Sequence, residues 1–285
     1  MNAAKSLLSV KYDVIFRLFF ADERNAEDLT DFLKAILDLP EDDYQEIEVA
    51  DPHLLPDYVG DKLAVIDIKL HTKSRKIIHI EIQLKVTPEM RERIVFYDAK
   101  LITEQVGSGD KYAEIRKVVS IIITDETLIP NSPRYHHRFT FYDPDAAVEF
   151  TDLVEIHTIE LPKLPANSDG TTLYDWAKFI DAETEEELDM VAQRNPQVGR
   201  AAVKLRALSA DERARDMLER REKGERDFAM FVDDAERRGL AKGLTEGRVD
   251  VARNLLNMNL PLEQISAATG LSRDEIEQLS NEAGE

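Results

Sequence analysis

The sequence predicts an α/β domain followed by a helical extension, and three observations carry that expectation. β-Branched, apolar runs at residues 62–70, 77–84 and 117–124 are interspersed with segments of helical period. From about residue 172 onward the strand pattern ends and helical period takes over. The 285 residues are 43% apolar and 33% charged, enough for a sizeable core beneath a charge-rich surface. A chain of that content is not disordered as its main state.

Taken in order, Tyr12, Ile15, Phe16, Phe19 and Phe20, then Leu29, Phe32, Leu33, Ile36 and Leu37, predict helix over 12–39. A polar break falls at Asp22–Asn25, and Pro40 stops the run. Residues 44–50 read as a short strand. KLAVIDIKL (62–70) and IIHIEIQL (77–84) are strands separated by a polar turn at Lys73, Ser74 and Arg75. Pro88 opens a helix to about Val106, ended by Gly107 and Gly109. KVVSIIIT (117–124) is apolar throughout, as a strand buried on both faces would be. Strands at 138–142 and 153–161 precede a Pro/Asn/Gly loop at 162–170.

Helices follow at 172–181, 184–194 and 197–207. Residues 200–250 hold 13 basic and 12 acidic side chains, a mixture that suits a solvated helix with i,i+4 pairs. Gly239, Gly243 and Gly247 read as a flexible joint in preference to a close helix contact. Apolar-faced helices then flank Pro261 and Gly270, and Ser272 with Glu275 forms a capping box. That outline fits a helix-turn-helix, and equally a helical hairpin used for packing. The expected division is 1–170, 171–238 and 239–285, with a chain ending near Ser209 holding every strand. Contact between copies is expected through Val251, Leu255, Ile265 and Ile276.

Composition excludes several chemistries. With no cysteine there is no disulfide framework, thiol nucleophile, cysteine zinc site or Fe–S cluster. No apolar run approaches the ~20 residues of a membrane helix, and the first residues make a poor signal peptide. The expectation is a soluble, cytoplasmic protein. The net charge of -20 opposes a general nucleic-acid coat. Residues 62–93 nonetheless carry eight Lys/Arg against four acids, either a local patch or ordinary charge heterogeneity. Walker, GxSxG and HExxH patterns are absent. His136 and His137 point apart in any strand, His53 reads as a loop residue, and His79 reads as a hydrogen-bonding neighbour.

Strand alternation puts Asp67 and Lys69 on one side, and His79, Glu81 and Gln83 on one side of the next strand. A hairpin with Ser74 at its tip sets Asp67 opposite Glu81, with Ile66, Ile68, Ile80 and Ile82 on the other, buried face. Opposed Cβ atoms are ~5 Å apart, and two carboxylates there repel by roughly 3 kcal/mol at an effective dielectric of ~20. A divalent cation would reverse that repulsion. A loop of other parity would instead leave two isolated solvent-facing acids.

Asp67, a spacer, and Glu81-Ile-Gln83 resemble the PD-(D/E)XK nuclease motif with Gln in place of the final Lys. Asp13-Val-Ile-Phe-Arg-Leu-Phe, Arg93-Ile-Val-Phe-Tyr97 and Gly109-Asp-Lys-Tyr112 extend the likeness to the recombination-promoting nuclease (Rpn) and transposase family. The likeness covers about residues 10–170, and the glycine-spaced tail shares it. The resemblance implies a restriction-endonuclease-like αβββαβ core and a Mg²⁺- or Mn²⁺-dependent DNA endonuclease linked to recombination or mobile elements. Asp67, Glu81 and the Ile82 carbonyl would hold the metal, and Gln83 would position a water without supplying charge. Lys69, Lys85 and Arg17 are the candidate phosphate contacts. The alternative is a catalytically weak or silent DNA-binding or regulatory protein that keeps the fold.

Overall fold

A computed structural model describes residues 6–54 and 64–282. The chain divides into two compact units, Met1–Glu219 and Arg220–Glu285. The expected boundary at 170 thus falls inside the first unit, and the one at 238 inside the second.

The first unit opens with helices α1 (Asp13–Phe20) and α2 (Ala26–Ile36). The polar break between them is a single 3₁₀ turn, in which the Asp22 side chain caps the Arg24 N–H. The run ends at Ile36, with Leu37 already extended, three residues before the expected bound, and Pro40 then opens a short helix, α3 (Glu41–Gln45). Glu41, Asp42 and Asp43 fill its first turn, where the helix dipole favours acids. The strand expected over 44–50 is therefore shorter, β1 (Glu48–Ala50). Next come β2 (His53–Leu54), β3 (Ala64–Val65), β4 (Ile68–His71) and β5 (Ile77–Gln83). Helix α4 (Met90–Thr103), β6 (Val118–Thr124), β7 (His136–Asp143) and β8 (Val148–Glu160) follow. Helices α5 (Thr172–Asp181), α6 (Glu185–Arg194) and α7 (Pro196–Ala210) complete the set, close to the spans read from periodicity.

Six strands form one mixed sheet in the order β1-β4-β5-β6-β8-β7. Strands β5, β6 and β8 are parallel neighbours, while β1, β4 and β7 join antiparallel. The strand expected over 62–70 is divided. β3 pairs with β2 in a separate ribbon, and only β4 enters the sheet. At the break, the Ile66 N–H donates to the Pro52 carbonyl at 3.1 Å. Ile66 consequently packs with Ile77, Leu101 and Val118 rather than beside Ile68, which corrects the expected apolar face. Lys62 and Leu63 lie outside the described residues.

Alternation gives the sheet two faces. Ile68, Leu70, Ile80, Ile82, Ile121 and Ile123 join the main core with α1, α2 and α5–α7. At its centre Phe20 lies 5.2 Å from Phe32 and 5.9 Å from Trp176, ring centre to ring centre. The Trp176 indole N–H donates to Asp31 Oδ2 at 2.8 Å, so the one tryptophan is buried without an orphaned donor. Gly199 allows α7 to approach α6, since a Cβ there would sit 3.0 Å from the Ala192 carbonyl oxygen. The other sheet face, with Ile77, His79, Glu81, Val118, Ser120 and Ile122, lies under α4.

In the second unit the glycine reading is overturned. α8 (Glu212–Asn257) runs as continuous helix through Gly239, Gly243 and Gly247, with no heavy atom within 4 Å of where their Cβ atoms would be. They mark neither a joint nor a close contact. Helices α9 (Leu262–Thr269) and α10 (Arg273–Glu282) follow, joined through Gly270 at φ 73°, the left-handed C-cap that glycine adopts without strain. The Ser272–Glu275 capping box forms, with Glu275 Oε2 accepting from the Ser272 N–H at 2.7 Å. Ile265 and Ile276 are fully buried against Ala252 and Leu271, which removes them from any contact between copies. Val251 remains exposed and Leu255 half-buried. No helix among the described residues is long and apolar enough to cross a membrane.

Candidate active site

The hairpin between β4 and β5 turns at Ser74. Ile68 pairs with Ile80, Lys69 with His79 and Leu70 with Ile78, and this register carried one step further sets Asp67 opposite Glu81. Asp43 holds the tip. Its carboxylate accepts from the Ser74 N–H at 3.0 Å and from Lys76 Nζ at 2.5 Å. Burial raises the Asp43 pKa, but those hydrogen bonds outweigh it and pull the group down to about 2.

Asp67 occupies the bend before β4, half-buried, and its Oδ2 accepts from the Ile82 N–H at 2.8 Å. Strand residues alternate the side to which they direct backbone groups. The Gln83 carbonyl accepts from the Asp125 N–H on the β6 side, so Ile82 presents its carbonyl toward Asp67. Glu81 is 5% exposed. Gln83 Nε2 donates to Glu81 Oε2 at 3.2 Å, while Glu81 Oε1 is buried without a hydrogen-bond partner. Burial and then the Asp67 charge push the Glu81 pKa up to about 8, against the opposing pull of Arg93 and the Gln83 hydrogen bond. Burial and the Glu81 charge likewise raise the Tyr97 hydroxyl.

Beneath α4 a second polar group fixes the helix to the sheet. His79 Nε2 lies 2.9 Å from Asp98 Oδ1, and the Ser120 hydroxyl contacts both. All three are at most 2% exposed. Serine and aspartate share one ring nitrogen in a closed core, so this is a tether rather than a nucleophilic triad. It gives His79 the neighbouring role expected of it.

The structure gathers Asp67, Glu81, Ile82 and Gln83, and it treats the three expected phosphate contacts differently. Lys69 shares the Glu81 face but is half-buried and paired with Glu104 at 3.4 Å. Lys85 lies beyond the end of β5, exposed on a bend, so strand parity no longer applies to it. Arg17 is exposed on α1, which packs on the opposite sheet face. Two α4 residues stand electrostatically coupled to the carboxylates that sequence reasoning did not assign: Arg93, whose guanidinium lies 6.0 Å from the Tyr97 ring, and Tyr97 itself. Their i,i+4 spacing on the helix after the motif strand was the available signal.

The profile of the family described as PD-(D/E)XK nuclease family transposase matches residues 10–235. The chain belongs to that family. No curated protein and no solved structure matches it. The mixed α/β architecture with a six-stranded sheet is consistent with the PD-(D/E)XK nuclease fold. Membership points to a nuclease or mobile-element association and to hydrolysis of DNA.

Proposed function

We propose that the protein is a metal-dependent DNA endonuclease whose reaction centre is the Asp67–Glu81 pair. The observation that carries this reading is the Glu81 carboxyl, buried beside a second carboxylate with one oxygen left without a partner. The order α1, β1, β4, β5, α4, β6, with α2, α3 and the β2–β3 ribbon as insertions, supports an αβββαβ core. Among the described residues no group of three or more His, Asp or Glu gathers as a metal cluster. Magnesium does not need one, since it is commonly held by one or two carboxylates and keeps several waters. Asp67, Glu81 and the Ile82 carbonyl form a hard oxygen donor set of that kind, and the orphaned Oε1 fits it.

When bound, Mg²⁺ or Mn²⁺ would polarise a phosphoryl oxygen and lower the pKa of an attacking water. The chain's own groups do the rest. Asp67 is oriented by the Ile82 N–H, and Gln83 holds the Glu81 carboxyl through Nε2. Hydrolysis joins the water oxygen to phosphorus and breaks one P–O ester bond. One water proton goes to the leaving oxygen and the other to solvent.

Plasmid nicking with and without divalent metal tests the proposal, with Asp67→Ala and Glu81→Ala as controls. Metal-dependent cutting abolished in both variants is the expected result. Cutting at the wild-type rate by either removes the pair from the chemistry. DNA binding without any cutting would favour the silent regulatory reading, toward which the uncharged Gln83 leans.

A further inference from the structure

The motif residue that brings a cation in the wider superfamily is Gln83 here, and Lys69, across the hairpin on β4, is engaged by Glu104. A phosphodiester transition state gathers negative charge, so a site lacking a fixed cation loses a major stabilising interaction. The packing of α4 indicates where one is supplied. Leu101 packs on Ile77 and Val118, Asp98 meets His79 and Ser120, and Ile94 packs with Ile122. Ile122 is the register partner of Glu81. Helix α4 therefore runs antiparallel to β5, and its Ile94–Tyr97 turn reaches the level of Glu81. Ile94 takes the β6 side. Tyr97 packs against the cluster of Ile66, Ile77, Leu101 and Val118, and its hydroxyl lies within the fields of Glu81 and Asp67. Arg93, one turn before Tyr97, lies half-buried with its guanidinium toward the Tyr97 ring.

We propose that Arg93 is a catalytic residue, placing its guanidinium on the non-bridging oxygens of the scissile phosphate in the role that Gln83 cannot fill. The inference rests on the endonuclease reading above. A guanidinium stays protonated at any working pH, so Arg93 donates hydrogen bonds and charge and takes no proton in the step. Its field also reaches Glu81, where it opposes the effect of burial and of Asp67. The His79–Asp98–Ser120 tether holds α4 at this height, and the Tyr97 ring limits the directions open to the guanidinium.

The test compares the full-length wild type with Asp67→Ala, Arg93→Ala, Arg93→Lys and the double variant Gln83→Lys/Arg93→Ala in the plasmid assay. Arg93→Ala should lose about 100-fold in single-turnover rate, the scale of removing one transition-state donor. It should keep the wild-type melting curve and bind Mn²⁺ at least as tightly, because a repelling cation has gone. Arg93→Lys, and lysine at position 83 in the double variant, should each recover about tenfold of the loss, which a purely structural role would not produce. If wild type cuts, Asp67→Ala does not, and Arg93→Ala cuts within about threefold of wild type, the Arg93 assignment alone falls. Loss of Mn²⁺ binding in Arg93→Ala, or no recovery in the double variant, also overturns it. If wild type itself does not cut with Mg²⁺ or Mn²⁺, both readings fall.

Discussion

Replacing Glu81 by glutamine should stabilise the metal-free protein, and by an amount that grows with pH. The glutamate carboxyl has an ordinary pKa of 4.5 and is pushed up to about 8 in the folded chain, first by burial and then by Asp67. Between those values the folded state binds more protons than the unfolded one, so stability falls as pH rises. Below the unfolded value both states are protonated and the wild type suffers no penalty. At 1.36 kcal/mol per unit, the penalty reaches about 3 kcal/mol at pH 7 and about 5 kcal/mol above pH ~9. Glu81→Gln keeps an oxygen for the Gln83 Nε2 donor and removes the charge. Trp176, the only tryptophan, sits in the core of the first unit, so its fluorescence in urea follows that unit alone. Titrations in EDTA from pH 4 to pH 9 should show the variant gaining on the wild type, and Mn²⁺ should stabilise the wild type only. A constant difference between the two proteins across that range would refute the buried-carboxyl argument.

The two glycine environments give opposite expectations. Gly239, Gly243 and Gly247 have open space around them in α8, so changing all three to alanine should raise helix stability by about 0.8–1 kcal/mol each, read by circular dichroism melting. An unchanged or lower melt would restore the joint reading. Gly199→Ala instead drives a methyl to 3.0 Å from a backbone oxygen, and overpacking of ~1–3 kcal/mol should outweigh the helix gain, with a net loss of about 1 kcal/mol in urea. A chain ending after Glu219 should unfold cooperatively. One ending near Ser209 should be weaker, because it loses buried Ala214 and the Arg215 hydrogen bond to the Ser209 carbonyl. Light scattering should give the Glu219-terminated chain fewer copies per particle than the full chain, since Phe228, Phe231, Leu240 and Leu244 are exposed on α8. Equal association states would remove α8 from self-association.

The hairpin register was legible in the sequence because strand alternation and loop parity leave only two outcomes. The apolar residues at 68, 70, 78, 80 and 82 select one of them. The break at Ile66–Asp67 was not legible, since Ala64, Val65 and Ile66 are as apolar as a sheet strand, and only the partner β2 draws them away. The burial of Glu81 was equally hidden. Alternation places it opposite the core, and a polar residue there reads as solvated until α4 is seen to cover that face. In α8 two local effects compete. Each glycine costs the helix about 1 kcal/mol, while i,i+4 pairs such as Arg238–Asp234 and Lys242–Glu246 return a few tenths each. That balance does not announce a continuous helix.

Three buried glutamates in this sheet show why the reading settles on one of them. Glu155 receives both arms of Arg138 at 2.9 Å, Lys117 at 2.6 Å and His157 at 2.7 Å, and its pKa falls despite burial. Glu160 has Lys163 at 2.7 Å and accepts from the Leu128 and Ile129 N–H groups at Oε2, while its Oε1 has no hydrogen-bond partner and lies 3.5 Å from His137 Nδ1. Both meet the general requirement that a buried charge be paired with a cation and hydrogen-bonded. Among the described residues Glu81 is in no ion pair with a cation. Its hydrogen-bond donor is a neutral amide, one oxygen has no partner, and the nearest charge opposed across the hairpin is another acid. A folding requirement would be served better by an apolar side chain at that position, as it is at Ile80 and Ile82 on the same strand. Local rules of packing and pairing hold for the other two glutamates and fail at Glu81, which is where a function would draw on stability gained elsewhere.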